Sequence, residues 1–225
     1  MITYNRHWKR NYCAGIAAVI ALLITAGCLT APDIERTRLY TLNPPIAVAN
    51  ATPVALSLGI RPLFSARPYG LPMAYLDHEQ QLMFRNHDEW AEMPASSVTR
   101  ALLDALLATN RFMDVGTASD MVRPDLLLTG ELRKFHENRN ETPPVAELEV
   151  RIELRLSRNP GIVWADTLKE AVPLEAEEAG AFAAAMNEAV GNLVVRAAEA
   201  IADAPLSQVD APEQNGHNLT TKTSR

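Results

Sequence analysis

The chain has 225 residues and a formal net charge of −6, from 21 lysines and arginines against 27 aspartates and glutamates. An excess of acidic residues argues against a nucleic-acid-binding protein, which carries a basic surface patch. It also argues against binding to anionic lipid headgroups through a polybasic segment. The length suits one domain with tails, and a domain of that size has a core large enough to fold without disulfides.

The chain begins with a segment typical of a secretory leader. Arg6, Lys9 and Arg10 form a basic start, and a short apolar run follows them and ends at Cys28. The run is shorter than the roughly 20 residues that span a bilayer, so residues 1–27 are predicted to be a cleaved signal peptide. The leader contains no acidic residue, so its removal would leave a more acidic protein.

The residues around Cys28 resemble the lipobox of bacterial lipoproteins, with Ile24-Thr25-Ala26-Gly27 directly before the cysteine. The resemblance implies cleavage before Cys28, a thioether-linked diacylglycerol on its sulfur and a further acyl chain, such as palmitate, on the new amino terminus. Two or three chains anchor a protein durably, whereas one is marginal. By the sorting habit of lipoproteins, Leu29 in place of Asp implies the periplasm-facing leaflet of the outer membrane. The alternative is an ordinary signal peptide followed by an unrelated cysteine.

Residues 28–53 are predicted to be the acylated cysteine and a tether. Four prolines prevent a helix there, because proline lacks the amide donor and clashes with the preceding turn; they are Pro32, Pro44, Pro45 and Pro53. Leu39–Leu42 is predicted to be a short edge strand inside this segment. The alternation of apolar residues in Val54–Ile60 predicts the first strand of the domain proper.

A hairpin and a helix are predicted next. Residues 73–76 and 81–85 indicate two strands around the turn Asp77-His78-Glu79. Ser96 or Ser97, shortly after Pro94, is predicted to cap a helix. That helix carries apolar residues at helical spacing and is expected to end near Asn110.

The second half of the chain gives the clearest pattern. Residues 125–173 predict a three-stranded meander, and its middle strand, 147–156, alternates apolar with charged residues as in an antiparallel sheet covered on one side. Residues 179–202 predict an alanine-rich helix with one apolar stripe, and 203–225 predict a disordered tail. The domain is therefore expected to span 54–202 as an α+β fold, a mostly antiparallel sheet with two main helices packed on one face.

Motifs for catalysis or cofactor binding are missing from the sequence. There is no G-x-S-x-G nucleophile elbow and no glycine-rich phosphate loop, so the chain cannot itself be the ATPase of a transporter. Asp77-His78-Glu79 and His87-Asp88-Glu89 could meet across the hairpin and bind a metal, but adjacent strand residues point to opposite faces, which favours a solvated turn. Trp90 is a ligand platform or a core residue, and its size favours the core. No catalytic, metal or cofactor-binding residue is predicted, and the chain is not expected to be an enzyme.

Several stretches together resemble the ABC-type transport auxiliary lipoproteins, which include the PqiC-like intermembrane transport lipoproteins. The stretches are Pro72–Asp77, Trp90–Glu92, the helix with Leu102 and Leu106, Leu39–Leu42, the strand that opens at Pro124-Asp125, the strand 147–156 and the final helix. The family-motif positions are Tyr75, Leu76, Asp77, Trp90 and Glu92. They serve either partner binding or the fold, and the fold is favoured for Leu76 and Trp90.

The resemblance implies a non-enzymatic adaptor or docking subunit at the outer membrane. Its expected partners are an MCE-domain periplasmic protein, an ABC permease and ATPase, and membrane lipid held through the acyl anchor, with lipid or another apolar molecule as cargo. Sheet edges pair readily, which favours a homo-oligomer. The alternative is a periplasmic lipid-binding carrier with its own apolar cavity. A hydrolase is disfavoured, because no catalytic constellation is found.

Overall fold

The computed structural model describes residues 35–158 and 161–206. Every strand and helix of the described residues lies in one unit of the chain that begins at Thr37. The predicted leader, Cys28 and residues 207–225 of the predicted tail lie outside the described residues. The cleaved leader, the acylated cysteine and the disordered tail therefore stay predictions.

Nine strands and two helices are present in the part of the chain that the structure describes. The strands are β1 (Arg38–Tyr40), β2 (Val54–Ile60), β3 (Phe64–Ser65), β4 (Pro72–Leu76), β5 (Leu82–Trp90), β6 (Phe112–Thr117), β7 (Leu126–Asn138), β8 (Val145–Leu156) and β9 (Ile162–Pro173). The helices are α1 (Pro94–Ala108) and α2 (Ala179–Ala202). The strands form one mixed sheet in which antiparallel pairs are the longest. The predicted α+β class is confirmed.

The sheet is assembled on β7. One edge of β7 pairs antiparallel with β8 along its whole length. Its other edge pairs in parallel with three separate strands in turn, β2 at its start, β3 in the middle and β4 at its end. β6 continues the sheet beyond β2, and β5 and β1 continue it beyond β4. This side of β7 therefore carries two separate groups of strands, β2 with β6 and β4 with β5 and β1.

The predicted meander is confirmed as β7, β8 and β9. Along β8, Ala146, Leu148, Val150, Ile152 and Leu154 are buried, and the residues between them are partly exposed and charged. The charged side chains form ion pairs along the outer face of the sheet, such as Arg151 with Glu153 at 2.8 Å. Because successive strand residues point to opposite faces, the alternation buries one face against the helices and leaves the other polar.

α2 covers the meander. Its range matches the predicted helix, and it contacts β8, β9 and α1. Its buried side chains recur every three or four residues, the spacing of one helix face; they include Phe182, Met186, Val190, Leu193, Ala197 and Ile201. The residues from both helices and the inner face of the sheet form one apolar core.

Residues 42–48 form a strap that packs against the domain, whereas they were expected to belong to the tether. Leu42 is buried, and the backbone N–H of Asn43 donates to Asn187 Oδ1 on α2 at 2.8 Å. A Cβ on Gly191 of α2 would lie 3.3 Å from Pro44 Cβ, so the glycine allows the strap to approach the helix closely. The strap packs because its apolar side chains complete the core, and this shortens the free part of the predicted tether.

Three local features differ from the predictions. α1 begins at Pro94 with Met93 in the cap position and no side-chain cap, because proline suits the first position of a helix; Ser96 and Ser97 lie inside its first turn. β3 and β6 were not predicted. Ala204 and Leu206, at the start of the predicted tail, are buried.

Candidate functional site

The structure brings together some of the predicted motif positions and separates the others. Tyr75 and Leu76 end β4 and lie beside Glu137 and Asn138 at the end of β7. Asp77 begins the turn that follows. Trp90 and Glu92 lie outside this cluster, at the far end of β5 and before α1.

A buried carboxylate anchors the end of β7 near Tyr75. Glu137 is fully buried, and its two carboxylate oxygens accept hydrogen bonds from Arg85 Nη2 at 2.6 Å and Arg139 Nε at 2.8 Å. The Arg139 guanidinium lies 3.8 Å from the centre of the Tyr75 ring, which is within cation–π range. We call Tyr75, Arg85, Glu137 and Arg139 the arginine–glutamate cluster. Two cations against one anion leave the cluster with a net positive charge.

Asp77 shapes the β4–β5 turn. Its Oδ1 accepts the backbone N–H of Glu79 at 2.9 Å and of Gln81 at 2.8 Å, the pattern of an Asx turn. Its carbonyl oxygen accepts from Asn140 Nδ2 at 3.0 Å, which ties the turn to the end of β7. Leu76 is half-buried and pairs with Leu82 across the hairpin. Asp77 therefore positions the hairpin.

Trp90 belongs to the core, as favoured above. It is 2% exposed and makes edge-on contacts with Phe135 and Phe182, at ring-centre distances of 5.3 and 5.5 Å. It thus joins β5, β7 and α2 at the centre of the fold and has no surface to offer a ligand.

Glu92 secures the approach to α1. Its Oε2 accepts from Arg100 Nη2 at 2.8 Å and from the Ser97 hydroxyl at 2.9 Å. These two hydrogen bonds, the one from Arg100 first, lower the pKa of Glu92. Both side chains of the Glu92–Arg100 pair are more than 40% exposed, so the pair contributes little to stability.

The aspartates of the two acidic triplets are engaged by other groups of the protein. Asp88 is buried and accepts from Arg38 Nε at 2.8 Å, which ties β1 to β5. Asp77 is occupied by the turn. No group of three or more histidine, cysteine, aspartate or glutamate side chains is placed to hold a metal ion within residues 35–158 and 161–206.

A second polar group lies on the outer face of the sheet around His136, which was not predicted as a site residue. His136 is 1% exposed; its Nδ1 lies 2.9 Å from the Tyr69 hydroxyl, and its Nε2 lies 3.5 Å from Glu147 Oε2. Burial lowers the pKa of His136 to about 4. Burial acts to raise the pKa of Glu147, but hydrogen bonds from Lys134 and Asn138 outweigh it and lower that pKa. A neutral His136 is therefore part of the folded state at neutral pH.

We expect the buried His136 to make stability fall in mild acid. The ordinary pKa of histidine is 6.5 and the folded value about 4, so between these two values the unfolded chain binds a proton that the folded chain does not. The free energy of unfolding should decline as the pH falls from 6.5 to 4, by up to about 3 kcal/mol at 1.36 kcal/mol per pKa unit.

The measurement is urea unfolding between pH 4 and 8 on the wild type, His136→Gln and His78→Gln. His136→Gln should flatten the decline, whatever its stability at pH 8. His78 is exposed in the β4–β5 turn and is the matched control, so His78→Gln should keep the slope. An unchanged slope in His136→Gln would contradict the expectation.

The arginine–glutamate cluster and His136 were missed in the sequence for a physical reason. β7 has a register irregularity between Leu132 and Lys134, a bulge that adds one residue and shifts the alternation of faces. After it, Phe135, His136, Glu137 and Asn138 are all buried, so the run shows no period of two. A charged run inside an otherwise regular strand is the only sequence signal of the site.

Neither helix in the described residues is both long and apolar enough to cross a membrane.

The family model for the ABC-type transport auxiliary lipoprotein component matches residues 40–198. No curated protein matches the chain at a significant level.

Solved structures share the fold. Protein XCC0632 from Xanthomonas campestris is 20% identical, with a TM-score of 0.64, over 71% of this chain and 92% of that one. An uncharacterized protein is 13% identical, with a TM-score of 0.59, over 74% of this chain and 99% of that one. The PelC dodecamer from Paraburkholderia phytofirmans is 9% identical over 66% of this chain and 91% of that one, and its TM-score of 0.41 supports no inference.

Proposed function

Because the chain belongs to the family of ABC-type transport auxiliary lipoprotein components, we propose that it is a non-enzymatic adaptor of an MCE/ABC-type intermembrane lipid transport system at the outer membrane. Its partners in this proposal are an MCE-domain periplasmic protein and, through it, the ABC permease and ATPase. The family match over residues 40–198 carries the proposal, because it spans almost the whole of the predicted domain.

The proposed anchor is the acylated Cys28. Acyl chains supply the attachment that an acidic protein cannot obtain from anionic headgroups. Only the residues from Leu29 to Thr37 lie between Cys28 and the start of β1 at Arg38. Each extended residue spans at most about 3.6 Å, so this linker is short. The domain would therefore be held close to the bilayer. Self-association through a sheet edge stays a prediction.

The proposed contact for the MCE-domain protein is the arginine–glutamate cluster together with Met83. Met83 pairs with Tyr75 across the hairpin and is 40% exposed. Tyrosine, methionine and arginine are the residue types enriched in protein interfaces. The ion pairs to Glu137 hold the Arg139 guanidinium against the Tyr75 ring, so this surface is pre-organised for a partner.

The test is membrane fractionation and co-purification of the tagged full-length protein. Cys28→Ser should leave the outer-membrane fraction and lose its cleavage, because it removes the acylated sulfur. Cys13→Ser is the matched control, as Cys13 lies in the predicted leader, and it should fractionate as the wild type does. A processed Cys28→Ser protein that stayed in the outer membrane would contradict the anchor.

The same preparations test the adaptor role. The wild type should co-purify an MCE-domain protein, and Met83→Asp should reduce its yield several-fold. Met113→Asp is the matched control, since Met113 is 71% exposed on β6, away from the cluster. Native mass spectra that contain a stoichiometric phospholipid in the absence of any MCE-domain protein would support the carrier and contradict the adaptor.

A further inference from the structure

An open basic pocket of about 710 Å³ lies at the end of the sheet where β7 begins, and the candidate site does not include it. It is formed by the ends of β2 and β8 and by the loop between β6 and β7. Three arginines, Arg61, Arg123 and Arg158, and two serines, Ser119 and Ser157, supply its polar lining. Pro62, Pro124, Ala118 and Leu127 supply its apolar lining.

The walls of this pocket are fixed to the sheet by backbone hydrogen bonds. The N–H of Arg61 donates to the carbonyl of Leu128 at 2.9 Å, that of Ala118 to Ile60 at 2.9 Å, and that of Ser157 to Asp125 at 2.9 Å. These bonds hold each of the three segments that carry the arginines. The pocket is therefore a built feature of the fold.

The pocket is basic in a protein that is acidic overall. Arg61, Arg123 and Arg158 form no ion pair or side-chain hydrogen bond with another residue of the described ranges, and none of the described lining residues carries a carboxylate. Two carboxylates lie nearby. Asp125 accepts from the Ser57 N–H and hydroxyl at 3.0 and 2.7 Å and acts electrostatically on Arg158, and Asp120 accepts from the Ser119 hydroxyl at 3.1 Å. Within residues 35–158 and 161–206, the three guanidinium groups therefore have no direct anionic partner.

The backbone at Arg123 gives independent evidence of a site. Its φ is 140°, a region that costs a residue other than glycine about 1–3 kcal/mol and is concentrated at functional sites. Arg123 also precedes Pro124, which restricts its backbone further. Val122, directly before it, is 93% exposed. The fold therefore retains a strained loop that turns an arginine into the pocket beside an exposed apolar tip.

We propose that this pocket binds the phosphate of an anionic glycerophospholipid. Guanidinium groups bind phosphate oxygens through paired, charge-assisted hydrogen bonds, and the apolar lining suits the glycerol and the first acyl carbons. An exposed valine beside the arginines matches an interfacial contact with lipid better than it matches an acidic protein segment. The anion site follows from the geometry alone, and the choice of lipid over free phosphate rests on the proposed function.

The test is calorimetric titration of the purified mature protein in nonionic detergent. The probes are dihexanoyl phosphatidylglycerol, dihexanoyl phosphatidylcholine and inorganic phosphate. We expect the phosphatidylglycerol to bind at least tenfold more tightly than the other two. Equal binding of inorganic phosphate would overturn the lipid assignment, and no binding of any probe would overturn the site.

Variants assign the binding to the pocket. Arg61→Gln, Arg123→Gln and Arg158→Gln should each weaken phosphatidylglycerol binding at least fivefold with an unchanged circular dichroism spectrum, and Arg61→Lys should weaken it less than Arg61→Gln. Arg196→Gln is the matched control, since Arg196 is an exposed arginine on α2 paired with Glu170, and it should bind as the wild type does. If the pocket variants bound the lipid normally but lost the MCE-domain protein, the pocket would be a protein contact and the proposal wrong. Normal lipid binding without any MCE-domain partner would contradict the adaptor role alone.

Discussion

Trp90→Ala is expected to lower the free energy of unfolding by about 3–5 kcal/mol, the range for removal of a large buried aromatic side chain. The indole is 2% exposed and contacts Phe135 and Phe182. Its loss would leave a cavity between β5, β7 and α2, which cannot close because all three elements are held by the sheet and the remaining core. Most small domains have only 5–15 kcal/mol of stability in total.

The measurement is urea unfolding followed by far-ultraviolet circular dichroism at neutral pH. Trp164→Ala is the matched control: Trp164 lies on β9 and is only partly buried against the core, so the same truncation there should cost less than half as much. Equal losses in the two variants would mean that Trp90 is not the centre of the core. Trp90→Phe should recover most of the loss, because it keeps an aromatic ring between Phe135 and Phe182.

Glu137→Gln is expected to cost about 3 kcal/mol. Removal of one partner from a buried ion pair typically costs about 3–5 kcal/mol, because the opposite charge stays buried without compensation. The side chains of Arg85 and Arg139 are 15% and 27% exposed and can reach water in part, which places the expected loss at the lower end. Glutamine has almost the same shape as glutamate, so the loss of stability measures the contribution of the negative charge.

Glu92→Gln is the control for Glu137→Gln. It removes the same charge from an arginine pair that is exposed on both sides, and exposed pairs contribute about 0–1 kcal/mol. Both variants are to be compared by urea unfolding in low and high salt. A loss for Glu137→Gln no larger than that for Glu92→Gln would show that the arginine–glutamate cluster does not stabilise the fold.

The sequence predicts elements whose pattern is local and misses those that depend on distant partners. The alternation of β8 and the stripe of α2 are each complete within one segment, so their ranges could be predicted closely. β3 has two residues, and in β6 only the first residue, Phe112, is buried, so neither strand shows a clear period of two. The parallel pairing of β2, β3 and β4 with β7 is a property of the assembled sheet.

The candidate site was predicted in part for the same reason. Trp90 could be assigned to the core from its size, and the turn at Asp77 from its residue type. Leu76, for which a role in the fold was favoured, is only half-buried at the end of β4, between Leu82 and Asn138. Glu137 could not be predicted, because its burial depends on Arg85, which is 52 residues away in sequence. It also depends on the bulge in β7, which the amino-acid composition of the strand does not indicate.

The arrangement of three earlier strands along one later strand affects how fast the chain can fold. β2, β3 and β4 are synthesised long before β7, and the hydrogen bonds between Ser57 and Asp125 join residues 68 positions apart. Domains dominated by such non-local pairing fold slowly, because distant segments must lose chain entropy to come together before any favourable contact between them forms. A newly made chain would thus stay open for longer than a helical protein of equal length. Delayed compaction suits a polypeptide that is expected to be exported before it folds, and it exposes the unpaired strands to aggregation until β7 has docked.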